Sequence, residues 1–273
     1  MSYLKKIVGS ILLFLCAAVI VGNLVLYFFE PIFIFKPQKY PLGNWQPSGP
    51  HPVDVWITSG NIKLHGWYLP HAHPKAIILY LHGNTGNVTN TYQDLLKLHD
   101  RLSASVMTFD YEGFGKSTGA PEENNMINDA KAVRDWLAQK EQVQPYDILL
   151  FGRSLGGGVA IALASKFGAK GLIIVSSFLS LPDTIKYHYP ILFPRLLMHN
   201  EFDSIHNIAS YHGQLLMIHG KKDELIPLQH AKKLFDVANS AKRFMQVDEG
   251  QHFSPISNEV YSTMLNFIEH INK

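Results

Sequence analysis

The apolar residues divide the chain into one long amino-terminal run and a longer part in which short apolar segments alternate with polar ones. The run covers residues 7–29, carries no formal charge and follows Lys5 and Lys6, so that residues 1–6 form a short basic terminus. About 20 apolar residues cross a bilayer, whereas a cleaved signal has an apolar core of roughly 7 to 15. The length therefore favours a single transmembrane anchor over a signal peptide.

Prolines recur directly after this run, across residues 30–50. Proline lacks a backbone donor and disfavours continued helix, so these residues are predicted to be a tether lying over the following domain. The domain itself is predicted to cover residues 51–273. It opens with alternating apolar residues at 53–57 and a Ser-Gly-Asn turn at 59–61, which together predict a β-hairpin.

Beyond the hairpin, short apolar runs alternate with segments of helical period. Strands that are apolar on both faces, with helices between them, indicate an α/β fold in which a mainly parallel sheet is covered by helices on both faces. The aromatic-rich residues 179–210 interrupt this alternation and predict a short cap, although the same side chains would also suit packing onto the core. The predicted strands are 76–81, 106–109, 148–151, 172–175, 215–218 and 244–247.

Composition removes several classes of protein. A content of 47% hydrophobic and 17% charged residues argues against disorder, and a net charge of +2 without a basic run argues against a nucleic-acid binder. A lone cysteine, Cys16, excludes an intramolecular disulfide and Cys-rich metal sites. We expect no cofactor and no metal, and the sequence identifies no protein partner.

The chemistry is indicated first by a G-x-S-x-G motif. Gly152-Arg153-Ser154-Leu155-Gly156 follows the strand predicted at 148–151 and precedes an apolar helix. In this context the serine projects as a nucleophile from a sharp turn. The turn needs glycine two residues before and two residues after the serine, because a side chain there would collide with the backbone. The alternative is a glycine-rich turn for a phosphate or dinucleotide, but a Walker lysine and the G-x-G-x-x-G order are missing.

A base and an acid are sought on later loops, because they follow the nucleophile in chain order in proteins with this motif. His252 follows the last predicted strand and is the candidate base for Ser154. Asp223 follows the preceding strand and is the candidate acid, with Glu224 and Asp183 as rivals. The acid would hold the imidazole in one tautomer and stabilise its protonated form.

An oxyanion hole needs two backbone N–H groups near the serine. One is that of Leu155, at the start of the helix. The other is expected from the glycine-rich loop at residues 82–86, where we assign the N–H of Asn84. His82, in the same loop, is predicted to pack there rather than to act as a second base.

With these motifs the chain resembles α/β-hydrolases, and specifically the Bem46-like group of membrane-anchored serine hydrolases. The resemblance implies an α/β-hydrolase fold with Ser154 as nucleophile, Asp223 as acid and His252 as base. Glu112 departs from the family, which usually has arginine there; the change concerns local packing and substrate charge rather than these three residues. The resemblance covers about residues 50–270 and rests on segments 79–87, 110–117, 152–156, 219–227 and 250–252.

These observations predict a membrane-anchored serine hydrolase that cleaves carboxylic ester or thioester bonds through an acyl-enzyme on Ser154. An apolar cap and an anchor contacting membrane lipid through residues 7–29 suit acyl or lipid substrates. Two alternatives stay open. One is a catalytically silent, membrane-tethered binding or scaffolding protein on the same fold, and the other is an acyltransferase using the same three residues.

Flanking charge predicts the orientation. Lys5 and Lys6 precede the anchor, whereas Lys36 and Lys39 follow it, with Glu30 nearer. Basic residues concentrate on the cytoplasmic side, so this slight asymmetry favours a cytoplasmic amino terminus and an extracytoplasmic domain.

Overall fold

A long apolar helix begins the chain. In the computed structural model, which describes residues 2–239 and 241–273, helix α1 runs Ser2–Ile34. Its length and composition over Lys5–Ile34 are sufficient to cross a membrane. Because roughly 20 residues span the hydrocarbon layer, this candidate transmembrane helix is longer than a crossing requires.

Helix α1 ends later than the prolines predicted. The tether was expected to begin at residue 30, and that boundary is wrong, because the helix passes through Pro31 and stops at Ile34. Pro31 removes only its own N–H, and the last turn is still closed by the bond from the Phe35 N–H to the Pro31 carbonyl at 2.8 Å. The side chains of Glu30 and Ile34 are buried against the domain and hold this turn in place.

An eight-stranded sheet forms the centre of the domain. The pairings β2–β3 and β3–β6 are antiparallel and all the others are parallel, which confirms the mainly parallel sheet and its edge hairpin. The spatial order is β10-β9-β8-β7-β4-β6-β3-β2, with β1 and β5 paired separately. The strands are β1 (Lys36–Pro37), β2 (Val53–Ser59), β3 (Ile62–Leu69), β4 (Ala76–Leu81), β5 (Thr85–Gly86), β6 (Ala104–Phe109), β7 (Leu149–Arg153), β8 (Gly171–Val175), β9 (Leu215–Gly220) and β10 (Lys242–Val247).

Helices cover both faces of this sheet. Alternate strand residues point to opposite faces, so Leu79 belongs to one apolar cluster with helices α3, α4 and α8, whereas Ile78 belongs to a second with α2 and α9. This confirms the predicted α/β class. The five helices are α2 (Tyr92–Leu102), α3 (Glu123–Glu141), α4 (Leu155–Phe167), α8 (Leu228–Val237) and α9 (Asn258–Ile271).

Three short helices lie between β8 and β9, in the region predicted as a cap. They are α5 (Leu181–His188), α6 (Pro194–Leu197) and α7 (Ser204–Ala209). Residues after α1 run over the domain: the Asn87 side chain donates to the carbonyls of Gln38 and Leu42 at 2.9 and 2.8 Å. The loops after β4, β7 and β9, the end of α1 and this segment all line one cavity.

Candidate active site

Ser154 occupies a strained turn between β7 and α4. Its φ of 54° and ψ of −121° lie in a region that residues with side chains rarely adopt. A Cβ atom at Gly152 would lie 2.4 Å from the Gly156 carbonyl oxygen, and one at Gly156 would lie 1.9 Å from that of Leu81. The turn therefore requires glycine at both positions, as the motif predicted.

The structure brings Ser154, His252 and Asp223 together from three loops. His252 Nε2 lies 3.0 Å from Ser154 Oγ, and His252 Nδ1 lies 2.8 Å from Asp223 Oδ2. The rival acids are placed elsewhere: Glu224 is exposed, and Asp183 accepts from Ser180 Oγ at 2.9 Å within the cap. Asp223 is thus the carboxylate that contacts the imidazole.

The environment of Asp223 keeps it ionised. Burial alone would raise the pKa of this carboxyl, but the hydrogen bonds from His252 and from the Ile226 N–H at 2.8 Å outweigh burial and lower it. Nearby, His219 donates through Nε2 to the Ile226 carbonyl at 2.8 Å, and burial lowers the pKa of its ring. A charged carboxylate therefore faces the His252 ring, with a neutral imidazole on its other side.

Two backbone N–H groups stand beside the serine. Leu155 is the first residue of α4, so its N–H has no partner within the helix. The loop with Asn84 approaches so closely that a Cβ at Gly83 would lie 3.7 Å from the Ser154 Cβ. Asn84 and Leu155, the two residues predicted to donate to an oxyanion, line the same cavity as Ser154 and His252.

The cavity above Ser154 measures about 560 Å³, within the range of small-molecule sites. Ser154 and His252 are among the polar residues that line it, and most of the wall is apolar. Part of that wall comes from α1. The sequence did not predict this contribution, because apolar residues that suit a lipid environment do not show that they also contact the domain. The α1 residues lining the cavity are Gly22, Val25, Leu26, Phe33 and Ile34.

Comparison with known proteins identifies the family. The model of the family described as serine aminopeptidase, S33, matches residues 72–206. An uncharacterized protein of Mycobacterium tuberculosis is 34% identical over 225 residues, covering 81% of this chain and 80% of its own. The uncharacterized membrane protein YNL320W of Saccharomyces cerevisiae is 30% identical over 211 residues, covering 75% and 74%. The chain belongs to the α/β-hydrolase superfamily.

Structural similarity agrees with this membership and with the resemblance seen in the motifs. The Pyrococcus furiosus esterase Pf2001 superposes with a TM-score of 0.70 at 22% identity, covering 86% of this chain and 98% of its own. An Arabidopsis thaliana protein, alpha/beta hydrolase domain-containing protein WAV2, is 27% identical over 281 residues, covering 92% and 91%. At this identity the esterase shows a shared fold.

Arg153 holds the histidine loop of this hydrolase. Its guanidinium donates to the carbonyls of His252 and Ser254, both at 3.0 Å, and lies 3.5 Å from the Asp94 carboxylate. The sequence did not predict this role, because the G-x-S-x-G motif leaves the residue type and function of its second position unspecified. Its partners lie far along the chain, and only the fold brings them together.

The remaining polar residues near the site have structural contacts. His82 is buried and donates through Nδ1 to the Gly83 carbonyl at 2.8 Å, while burial lowers the pKa of its ring. Glu112 is also buried and accepts from the Asn125 side chain at 3.4 Å. Within residues 2–239 and 241–273, no cluster of three or more His, Cys, Asp or Glu side chains is arranged to hold a metal.

Proposed function

We propose that this hydrolase cleaves carboxylic ester or thioester bonds through an acyl-enzyme on Ser154. The observation that carries the proposal is the chain of contacts from Ser154 Oγ to His252 Nε2, at 3.0 Å, and from His252 Nδ1 to Asp223, at 2.8 Å. A serine hydroxyl is a weak nucleophile until an adjacent base takes its proton. The strained turn presents Oγ to the cavity where a substrate carbonyl would bind.

The reaction follows from these positions. His252 Nε2 takes the Ser154 proton as Oγ attacks the acyl carbon, and the N–H groups of Asn84 and Leu155 stabilise the resulting oxyanion. The bond to the leaving alcohol or thiol then breaks, and His252 returns the proton to it. Water attacks the acyl-serine with His252 again as base, which releases the carboxylic acid and restores Ser154. Asp223 stabilises the imidazolium in both steps.

Helix α1 is proposed to anchor the enzyme as a single membrane span. Its residues 7–18 are mainly apolar and exposed on every side, which suits lipid better than water. The amino terminus is proposed to be cytoplasmic and the catalytic domain extracytoplasmic, since Lys5 and Lys6 precede the span. A reporter active only in the cytoplasm, fused after Lys273, should stay inactive. Activity of that fusion would contradict the orientation while leaving the anchor in place.

The activated serine is tested by labelling the full chain with a fluorophosphonate probe. Wild type should be labelled, and Ser154→Ala and His252→Ala should not, because the first removes the nucleophile and the second its base. Circular dichroism of each variant would show that the fold is retained. A folded wild type that neither reacts with the probe nor hydrolyses nitrophenyl butanoate would support a catalytically silent binding protein instead.

An acyltransferase would also be labelled, so the products must be identified. With radiolabelled acyl ester in water, the hydrolase should release free carboxylic acid at the rate at which the alcohol appears. An added alcohol acceptor that takes most of the acyl group at concentrations far below that of water would favour transfer over hydrolysis.

A further inference from the structure

Helix α1 changes its surroundings part-way along its length. Up to residue 18 it is exposed all round, but from Val19 onward one face at helical spacing becomes partly or fully buried on the domain, through Gly22, Leu26, Glu30 and Ile34. If the hydrocarbon span begins at residue 7, about 20 residues carry it to residue 26. With the span placed in this way, the turns at residues 19–26 would contact both the membrane and the domain.

Polar contacts fix this second half of α1 to the segment containing α5 and α6. The buried Glu30 carboxylate accepts from the N–H groups of His199 and Asn200, both at 2.8 Å. The Asn23 side-chain oxygen accepts from the Phe193 N–H at 2.9 Å. A buried carboxylate is costly unless it is well hydrogen-bonded, so these bonds hold α1 in one position. The second half of α1 is therefore packed as part of the domain and is not a flexible tether.

The cavity extends along this fixed part of α1. Gly22 and Val25 line it together with Ser154 and His252, and Leu192 of the segment containing α5 and α6 lines it as well. A Cβ atom at Gly22 would be 3.2 Å from Leu192 Cδ2, so this end of the cavity is narrow. Gly22 and Ile34 are about 18 Å apart along the helix axis. The cavity thus leads from the serine toward the turns at membrane level.

The surface beside α1 is apolar as well. Such exposed patches mark membrane or partner contacts, and aromatic side chains favour the membrane interface. Lys186 donates to the Leu192 carbonyl at 2.9 Å in the same segment, where an ammonium would face headgroups. Because α1 itself carries this surface to the bilayer, lipid is the occupant we assign to it. Exposed apolar side chains on this surface include Phe28, Tyr189, Ile191, Phe193 and Leu196.

We propose that the acyl chain of the substrate enters the cavity laterally from the bilayer, between α1 and the segment containing α5 and α6. The substrate is then a long-chain ester or thioester that resides in the membrane. This rests on the proposed function and adds the source and class of its substrate. The ester or thioester bond breaks as acyl–Oγ forms, the headgroup alcohol or thiol leaves with the proton from His252, and water releases the fatty acid.

The test narrows the cavity at α1. Full-length enzyme is reconstituted in vesicles of dialkyl-ether phosphatidylcholine, which offer no ester of their own, and given nitrophenyl hexadecanoate or butanoate. Gly22→Phe should lower the ratio of kcat/KM for the long ester to that for the short ester by about tenfold or more, because the ring occupies the chain's path. Gly22→Leu should give a smaller decrease in the same ratio.

A matched control lies on the same helix. Gly9 has no neighbour within 4 Å, so Gly9→Phe adds the same side chain where it meets nothing in the protein. The ratio should stay at its wild-type value in this variant. An equal decrease in Gly9→Phe would indicate altered membrane insertion rather than a blocked cavity and would overturn the proposal.

Surface dilution tests the source of the chain. At fixed total substrate, adding more ether lipid should slow hydrolysis of the hexadecanoate, whose concentration within the membrane falls, but not that of the butanoate. Lateral access would be overturned by two results together. The ratio of kcat/KM for the long ester to that for the short ester would be unchanged in both Gly22 variants, and the rate of long-ester hydrolysis would not depend on added lipid. Fluorophosphonate labelling and butanoate hydrolysis would then still support the proposed function. If both of these were missing in folded wild type, the function and the inference would fail together.

Discussion

The side-chain amide of Asn84 donates a 2.6 Å hydrogen bond to the carbonyl of Ile34, the last residue of α1. The residues that follow α1 also bind this loop, because the Lys36 N–H donates to the Asn84 carbonyl at 2.8 Å and β1 pairs with β5. The end of the apolar helix and the loop assigned to the oxyanion hole are therefore one hydrogen-bonded unit. Placement of the Asn84 N–H depends on α1.

The first prediction removes this link without touching the backbone donor. Asn84→Ala keeps the N–H but removes the side-chain bond to Ile34, so we expect kcat for nitrophenyl butanoate to fall by about tenfold to a hundredfold through misplacement of the donor. Asn44→Ala is the control, since the exposed Asn44 side chain makes only a local hydrogen bond, which it accepts from the Gln46 N–H. An unchanged kcat in folded Asn84→Ala would show that the backbone contacts of the loop hold its position without the side-chain bond to Ile34.

The second prediction concerns the acid. Asp223→Asn should lower kcat by roughly 10³ to 10⁴, because the amide neither stabilises the imidazolium nor fixes the productive tautomer of His252. Glu224→Gln is the matched control, since Glu224 is the exposed neighbour and should retain wild-type activity. Steady-state kinetics on butanoate esters, with circular dichroism for folding, would measure both. Greater loss in Glu224→Gln than in Asp223→Asn would reverse the assignment of the acid.

The sequence allowed the three central side chains to be located, because each follows a recognisable strand. A sharp glycine-bounded turn identifies Ser154, and the parallel order of strands carries Asp223 and His252 to the same edge of the sheet. The α/β fold followed from the same alternation. A local sequence pattern is sufficient to locate a site residue when the same short segment determines the backbone conformation and the direction of the side chain.

The contacts between α1 and the domain could not be predicted from local sequence patterns. Glu30 looked like a charge just outside the membrane, yet it is 1% exposed and accepts hydrogen bonds from residues near 200. Pro31 predicted a helix end, but packing of the final turn outweighs one missing donor. The contribution of α1 to the cavity wall could not be predicted either, because apolar spacing on a candidate membrane helix does not reveal which face contacts protein.

The third prediction tests Arg153, which we infer positions the base through the backbone of its loop. Arg153→Gln should lower kcat by about tenfold, because the carbonyls of His252 and Ser254 lose their charged donor and the loop loosens. Arg243→Gln serves as control, since Arg243 is exposed on β10. A positioning role should lower kcat more than it raises KM. Loss of thermal stability alone, with kcat retained, would make Arg153 a purely structural residue.

The last prediction concerns pH and Asp129 on α3. Burial, together with the negative charge of the nearby Glu112, raises the pKa of this carboxyl to about 7. The folded state therefore binds a proton that the unfolded chain, with an ordinary pKa near 4, releases. The stabilisation is full below about pH 4 and is lost as pH rises to about 7, by at most about 4 kcal/mol.

Asp129→Asn should remove this dependence, since the amide is neutral at every pH. Its free energy of unfolding relative to wild type should increase between pH 4 and pH 8, measured by thermal or urea unfolding of the detergent-solubilised enzyme. Asp135→Asn on the same helix is the control, because Asp135 is half-exposed and pairs with Lys131 at 2.7 Å, so the variant should keep the wild-type slope. Parallel pH profiles for wild type and Asp129→Asn would mean that Asp129 is ionised in the folded protein at neutral pH.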